Sequence, residues 1–216
     1  LLFALATIYL INHVKNFKKN MFLSLSITFF ILGFDAYFQK YNGFNLLGWE
    51  TDSIRVSGLF GDEHILGTYF ARLMPIFFGL YASLNLNSKK SFLFMLVALI
   101  LIEILTFISG ERTAFTLLTL STIIIILFIR KYKTMRVIAL IVSSLIIFII
   151  LNTNEPVRDR MINQTISETG IGTEDVKLFS SVHESFFETS LKMFIDSPIV
   201  GQGPRTFRIA CSDTNF

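Results

Sequence analysis

Histidine and cysteine, which carry much of metal and nucleophile chemistry, are nearly missing: 216 residues hold three histidines and one cysteine. His13, His64 and His183 include no pair at metal-ligand spacing such as H-E-x-x-H, so no metal site is expected. G-x-S-x-G, Walker A and Rossmann glycine patterns are also missing, which leaves cytosolic nucleotide chemistry without a motif. Cys211 alone closes no internal disulfide, and an odd cysteine in a loop outside the cytoplasm points to a partner thiol elsewhere. Neither a signal peptide nor an internal repeat is evident. The chain opens on Leu-Leu-Phe without an initiator Met and stops in a polar stretch at Asn215-Phe216, so it reads as a fragment.

What is present is apolar. Hydrophobic residues make up 52% and the mean hydropathy is +0.61, too high for an ordinary soluble domain and indicative of an integral membrane protein. Apolar runs cover 1–11, 21–38, 65–84, 91–108, 114–129 and 137–151, the first too short to span alone. Tyr37, Phe38 and Tyr41 suit an interfacial aromatic belt. From 152 onward the hydropathy falls and stays low. These features predict an all-α protein: a polytopic transmembrane bundle over 1–151, of about six spans with the first truncated, and an incomplete, large helical periplasmic loop over 152–216.

A net charge of +3 and a pI near 9.0 would suit nucleic acid, but the basic residues fall between apolar runs rather than in one patch, and no nucleic-acid partner is expected. They read as topology signals. The links at 12–20, 85–90 and 130–136 hold nine, namely Lys15, Lys18, Lys19, Lys89, Lys90, Arg130, Lys131, Lys133 and Arg136, against Lys40, Arg55 and Arg112 in the alternate links. The first set is expected to face the cytoplasm. The 39–64 loop, the 109–113 turn and everything after 152 then face out.

On that outer side arginine dominates: Arg55, Arg112, Arg158, Arg160, Arg205 and Arg208 against Lys40, Lys177 and Lys192. Arginine offers a planar fork that pairs bidentately with phosphate, which lysine does not. Arg158 and Arg160 read as solvated or carboxylate-paired surface residues. Arg112 differs, because Ile108-Ser-Gly-Glu-Arg-Thr113 is too short to let it leave the mouth of the bundle. Glu111 stands beside it, and an anion there would also meet a helix N-terminus. Within the apolar runs lie Arg72 and Glu103, where a central charge costs about 2.5–3.5 kcal/mol. Arg72 is expected to snorkel outward or to pair with Glu103, a structural role ahead of a substrate one.

Further on, Ser181 and Glu184 form a capping box, and Phe179, Val182, Phe186, Leu191, Phe194 and Ile195 recur at helical spacing, with His183, Glu184, Glu188 and Lys192 around them. This predicts an amphipathic helix lying on the bilayer surface and stopped by Asp196-Ser-Pro198. Gly201-Gln-Gly-Pro204 then turns the chain and delivers Arg205 and Arg208.

Three stretches, taken together, carry a resemblance: Arg55-Val-Ser-Gly-Leu-Phe-Gly-Asp-Glu-His-Ile-Leu-Gly67, Ser109-Gly-Glu-Arg-Thr113, and Leu191-Lys-Met-Phe-Ile-Asp-Ser-Pro-Ile-Val-Gly-Gln-Gly-Pro204 with Phe207-Arg208. In order and spacing, from about residue 50 to the end, the chain resembles the O-antigen ligase and O-antigen polymerase superfamily of bacterial inner-membrane proteins. The resemblance implies a multi-pass glycosyltransferase that moves a glycan from an undecaprenyl-diphosphate carrier to an acceptor hydroxyl, such as one on lipid A-core, without cofactor or metal. Carrier glycan, acceptor lipid or glycan, and membrane lipids are the implied partners. Arg112 matches the family's short-loop arginine, and Arg205, Arg208 and Arg55 are the further diphosphate-binding candidates. The family's general base lies in a later part of the large loop. His183 stands where many relatives have arginine and is a catalytic candidate by residue type alone. Cys211 resembles a loop cysteine that pairs with one near that later histidine.

Within the resemblance, ligase is the first reading and polymerase the second. A transporter or flippase for lipid-linked sugar, using Arg72 and Glu103 at membrane depth, belongs to a different class. A sensor or scaffold would need no excess of arginine. Guanidinium groups held in a partly dry cleft would stabilise the leaving diphosphate. The acceptor hydroxyl would need a base within hydrogen-bond reach, and Phe-rich helices would offer the prenyl chain an apolar groove.

Overall fold

A computed structural model of the chain describes residues 2–51, 54–86, 88–169, 181–199, 201–203 and 207. These residues are helical, with a single antiparallel bridge between Phe44 and Glu50 and no strand among them. The order is α1 (Leu2–His13), α2 (Phe17–Asn42), a 3₁₀ turn (Gly58–Phe60), α3 (Leu66–Ser83), α4 (Lys89–Ile108), α5 (Arg112–Phe128), a second 3₁₀ turn (Arg130–Tyr132), α6 (Lys133–Thr153), α7 (Glu155–Arg158), a wide π turn (Asp159–Asn163), α8 (Gln164–Thr169) and α9 (Ser181–Asp196). Two compact units result, Leu1–Met161 and Ile162–Phe216.

α2 and α6 reach past their apolar runs at both ends, because a helix needs no apolar residue where its end meets water or head groups, whereas α3 stays within its run. Three helical segments are long and apolar enough to cross a membrane, Phe17–Asn42, Lys89–Ile108 and Arg130–Thr153; α5 is apolar but shorter, at 17 residues. Seventeen residues rise only about 25 Å, short of a hydrocarbon core of about 30 Å.

The core runs through α3. Its inward face is Phe70, Met74, Phe77, Phe78 and Tyr81, all buried. Phe29 of α2 meets Phe70 and Phe77 edge-on at 5.3 and 5.2 Å, and Phe22 stacks on Phe77 at 5.0 Å. Such ring pairs add about 0.5–1.5 kcal/mol each beyond area burial. Tyr132 closes the far end against Phe78 and Tyr81. α6 packs most extensively on α4, and α3 touches both α4 and α5.

The connection after α2 is more ordered than its polar composition suggests. Gln39, fully buried on α2, accepts the Ser57 and Gly58 N–H groups at 3.1 and 2.7 Å. Asp35 accepts Leu46 N–H at 2.9 Å, while Asn45 accepts from Leu47 and Trp49 and donates to the Gly58 carbonyl at 2.8 Å. The loop is therefore fixed to the bundle on both sides of Arg55.

In the second unit α9 starts at Ser181 and ends at Asp196, as the capping box and the Asp-Ser-Pro stop predict. Phe186, Leu191, Phe194 and Ile195 are exposed and Met193 is buried. Gly201 N–H returns to Ser197 O at 3.0 Å and Gln202 donates to Asp196 at 2.7 Å, closing a tight turn. That turn and the end of α9 border a hollow of about 530 Å³ with no charged side chain among its described lining residues.

Candidate functional site

The α4–α5 turn is the centre of the site. α4 ends at Ile108 and α5 begins at Arg112, so the turn is shorter than the sequence suggests and Arg112 rides on the first helical position. Gly110 makes the reversal at φ +71°, a left-handed conformation in which a Cβ is strained.

Glu111 holds this turn against another helix. Its carboxylate accepts the Gly67 N–H at 2.6 Å, the Thr68 N–H at 3.1 Å and the Thr68 hydroxyl at 2.6 Å. These amides are at the positive end of α3, where Ile65 at the cap position provides no side-chain bond. A carboxylate from a neighbouring helix therefore does the work of the missing N-cap. Gly67 and Glu111 belong to two different sequence motifs, and this contact is the reason both are needed. Both Glu111 oxygens are engaged by α3.

The fit at Gly67 leaves no room: a Cβ there would overlap the Ser109 hydroxyl and stand 3.1 Å from Glu111 Oε1. Gly67→Ala is expected to destabilise by about 1–3 kcal/mol. Gly79→Ala, on the same helix with nothing within 4 Å, should gain up to about 1 kcal/mol. Thermal unfolding of the two purified variants in detergent measures the difference, and equal shifts would mean that the α3–turn contact is not tight.

Two arginine stems flank Gly110. A Cβ on this glycine would stand 3.0 Å from Arg55 Cγ and 3.7 Å from Arg160 Cγ. Arg55 donates to the His64 carbonyl at 3.2 Å, and its own carbonyl accepts from the Thr51 hydroxyl at 2.7 Å. Arg160 Nε donates to the Gly110 carbonyl at 3.4 Å. The Arg55 and Arg160 stems thus flank the three-residue 109–111 turn, Arg112 follows it at the start of α5, and the turn's own carboxylate, Glu111, is committed to backbone amides. The N-terminus of α5 opens at the same place and adds positive potential.

Of the predicted diphosphate candidates, Arg55 has its stem beside Gly110, and Arg112 follows that glycine by two residues at the start of α5. Arg158 is carboxylate-paired as expected, to Glu155 at 3.3 Å. Arg160, read from the sequence as solvated or carboxylate-paired, is half-buried with its stem beside Gly110. Asn154 caps α7 by accepting Val157 N–H at 3.2 Å, Pro156 lies in its first turn, and Val157 is buried, so the chain leaving α6 folds back over the turn. The Asn-Glu-Pro helix start was the signal. Arg205, Arg208 and Cys211 lie outside the described residues. His183 falls in the first turn of α9, with its side chain outside the described set.

The expected pair of Arg72 and Glu103 is not formed. Arg72 sits two residues, or about 200°, around α3 from buried Phe70 and is exposed. Glu103 instead pairs with Arg136 of α6 at 3.1 Å, with side chains 5% and 0% exposed. The Ser143 hydroxyl donates to Glu103, and Arg136 donates to the Thr122 hydroxyl, which lies 3.5 Å from Glu103. Beside this network is a cavity of about 20 Å³ lined by Glu103, Thr119, Thr122, Ser143 and Ser144, the size of one water.

No protein-family model, curated protein or solved structure matches this chain.

Proposed function

We propose that the chain is part of a bacterial inner-membrane glycosyltransferase of the O-antigen ligase type, with the arginine-lined turn as the seat of the carrier diphosphate. The observation that supports this is the packing of the Arg55 and Arg160 stems beside Gly110, two residues before Arg112 at the start of α5. Guanidinium forks fit a diphosphate, and the Glu111 carboxylate of the turn is held by the α3 amides. Arg205 and Arg208 are further diphosphate-binding candidates by resemblance alone.

In the reaction, the acceptor hydroxyl oxygen attacks the anomeric carbon of the carrier-linked sugar. The bond from that carbon to the diphosphate oxygen breaks, and undecaprenyl diphosphate departs with the electron pair. The hydroxyl proton passes to a general base. Charge grows on the departing diphosphate, so preorganised arginines lower the barrier without a metal. Lipid A-core is the acceptor for a ligase; a second carrier-linked glycan is the acceptor for a polymerase of the same superfamily. Complementing strains that lack their own ligase or polymerase tests the reading. Glycan joined to lipid A-core supports the ligase, lengthened glycan on the carrier makes the protein a polymerase, and neither product overturns both.

The arrangement also requires the arginine site to face away from the cytoplasm. In a Cys211→Ser background, a cysteine at Asn154 should react with an impermeant maleimide added outside the cell. One at Ser88 should react only after membrane disruption. The reverse pattern would sink the proposed sidedness.

A further inference from the structure

The end of the first unit remote from the arginines has an unfavourable charge arrangement of its own. α2, α4 and α6 all begin there, and their first turns carry Lys18 and Lys19, Lys89 and Lys90, and Lys133, with no acidic residue in any of the three. A helix N-terminus bears the equivalent of about +0.5 charge and is stabilised by side chains of the opposite sign. Here three positive ends carry more positive charge. Lys131 joins them: its ammonium donates to Asn85 Oδ1 at 2.8 Å, tying the α3–α4 link to the α5–α6 link, and lies 5.2 Å over the Tyr132 ring.

The chain around these lysines provides no counter-charge. Of the 16 acidic residues in the sequence, none falls within 12–22, 83–92 or 128–137. The lysines themselves are exposed, so the opposite charge must come from outside this surface. The helical segments that start here are the three long and apolar enough to cross a membrane. Their N-termini consequently lie at the depth of lipid phosphates, and the aromatic cluster of Phe22, Tyr81 and Tyr132 sits beneath them.

We propose that this end of the bundle is a binding surface for anionic phospholipids, whose phosphate groups occupy the lysine-rich helix starts of α2, α4 and α6. Each lysine near an anionic leaflet contributes a factor of about five in affinity. Because the lysines are exposed, the interaction is screened by salt. The surface is independent of the arginine site and of any transfer reaction.

The test uses the whole purified chain in neutral phosphatidylcholine nanodiscs, titrated with fluorescent phosphatidylglycerol. Expected are binding of phosphatidylglycerol over labelled phosphatidylcholine, weakening as sodium chloride rises from about 0.05 to 0.5 M, and about tenfold or greater loss in Lys131→Gln/Lys133→Gln. Lys40→Gln, at the other end, should bind as the parent does. Equal binding of the two lipids, or full binding by the double variant, would overturn the proposal. Inorganic phosphate displacing the lipid at matching concentration would make this a site for free anions and overturn it too. Should the double variant fail to fold, the salt series on the parent protein decides alone: binding unchanged by salt rules the surface out.

Discussion

Arg136→Ala should cost the first unit about 3–5 kcal/mol, because it leaves the Glu103 carboxylate buried and without its ion partner. Glu103→Ala should cost about as much by stranding the guanidinium, which is fully buried. Both losses exceed what surface substitutions cause, and a domain holds only about 5–15 kcal/mol in total. The double variant Glu103→Leu/Arg136→Met removes both charges and keeps volume, so it should recover most of the loss. Arg72→Leu, on the exposed face of α3, should change stability little. Unfolding of the four purified variants in detergent provides the comparison. If Arg136→Ala were no worse than Arg72→Leu, the pair would not be holding α4 to α6.

The Glu103 pair also shows what the sequence could and could not disclose. Composition and hydropathy predict the helices, and the core face of α3 follows from helical spacing of Phe70, Met74, Phe77 and Tyr81. Which charge reaches Glu103 depends on helix rotation and neighbourhood, which a single sequence does not encode locally. Arg136 lies in a basic link and was counted with the topology signals, yet it is drawn inward and buried at the fourth position of α6. Thr122 and Ser143, hydroxyls within the apolar runs of adjoining helices, were the available hint, since a buried ion pair needs its remaining polar atoms satisfied.

At the candidate site the short turn was legible because its length leaves Arg112 no freedom. The role of Glu111 was not, because a carboxylate that caps a distant helix has no local sequence pattern. Gly67-Thr68 and Glu111 are 43 and 44 residues apart in the chain and meet only after α3 and α4 have packed. Arg160 needed the chain to double back after α6, which the fall in hydropathy at 152 concealed.

The arginine reading bears most directly on function, and Arg112 is its sharpest point. Arg112 is the first residue of α5, next to a glutamate fixed by α3, so its backbone position is set by three helices. If it holds a diphosphate oxygen pair, Arg112→Lys keeps the charge and loses the fork. Losing one charge-assisted hydrogen bond of about 1.5–3 kcal/mol in the transition state lowers transfer about 10- to 100-fold. Insertion and folding should be little affected, because the substitution leaves the Glu111 bonds to α3 in place. Arg160→Lys should fall less if its main partner is the Gly110 carbonyl, which an ammonium can also serve. Glu111→Gln separates positioning from contact. It keeps the shape but weakens the hold on the α3 amides, so stability and transfer should decline together, whereas Arg112→Lys lowers transfer alone. The measurement is glycan transfer from the lipid carrier in a strain without its own enzyme, scored against the amount of protein in the membrane. Near-parental transfer by Arg112→Lys would take Arg112 out of the site, for a helix-end cation tolerates lysine and a bidentate phosphate ligand does not.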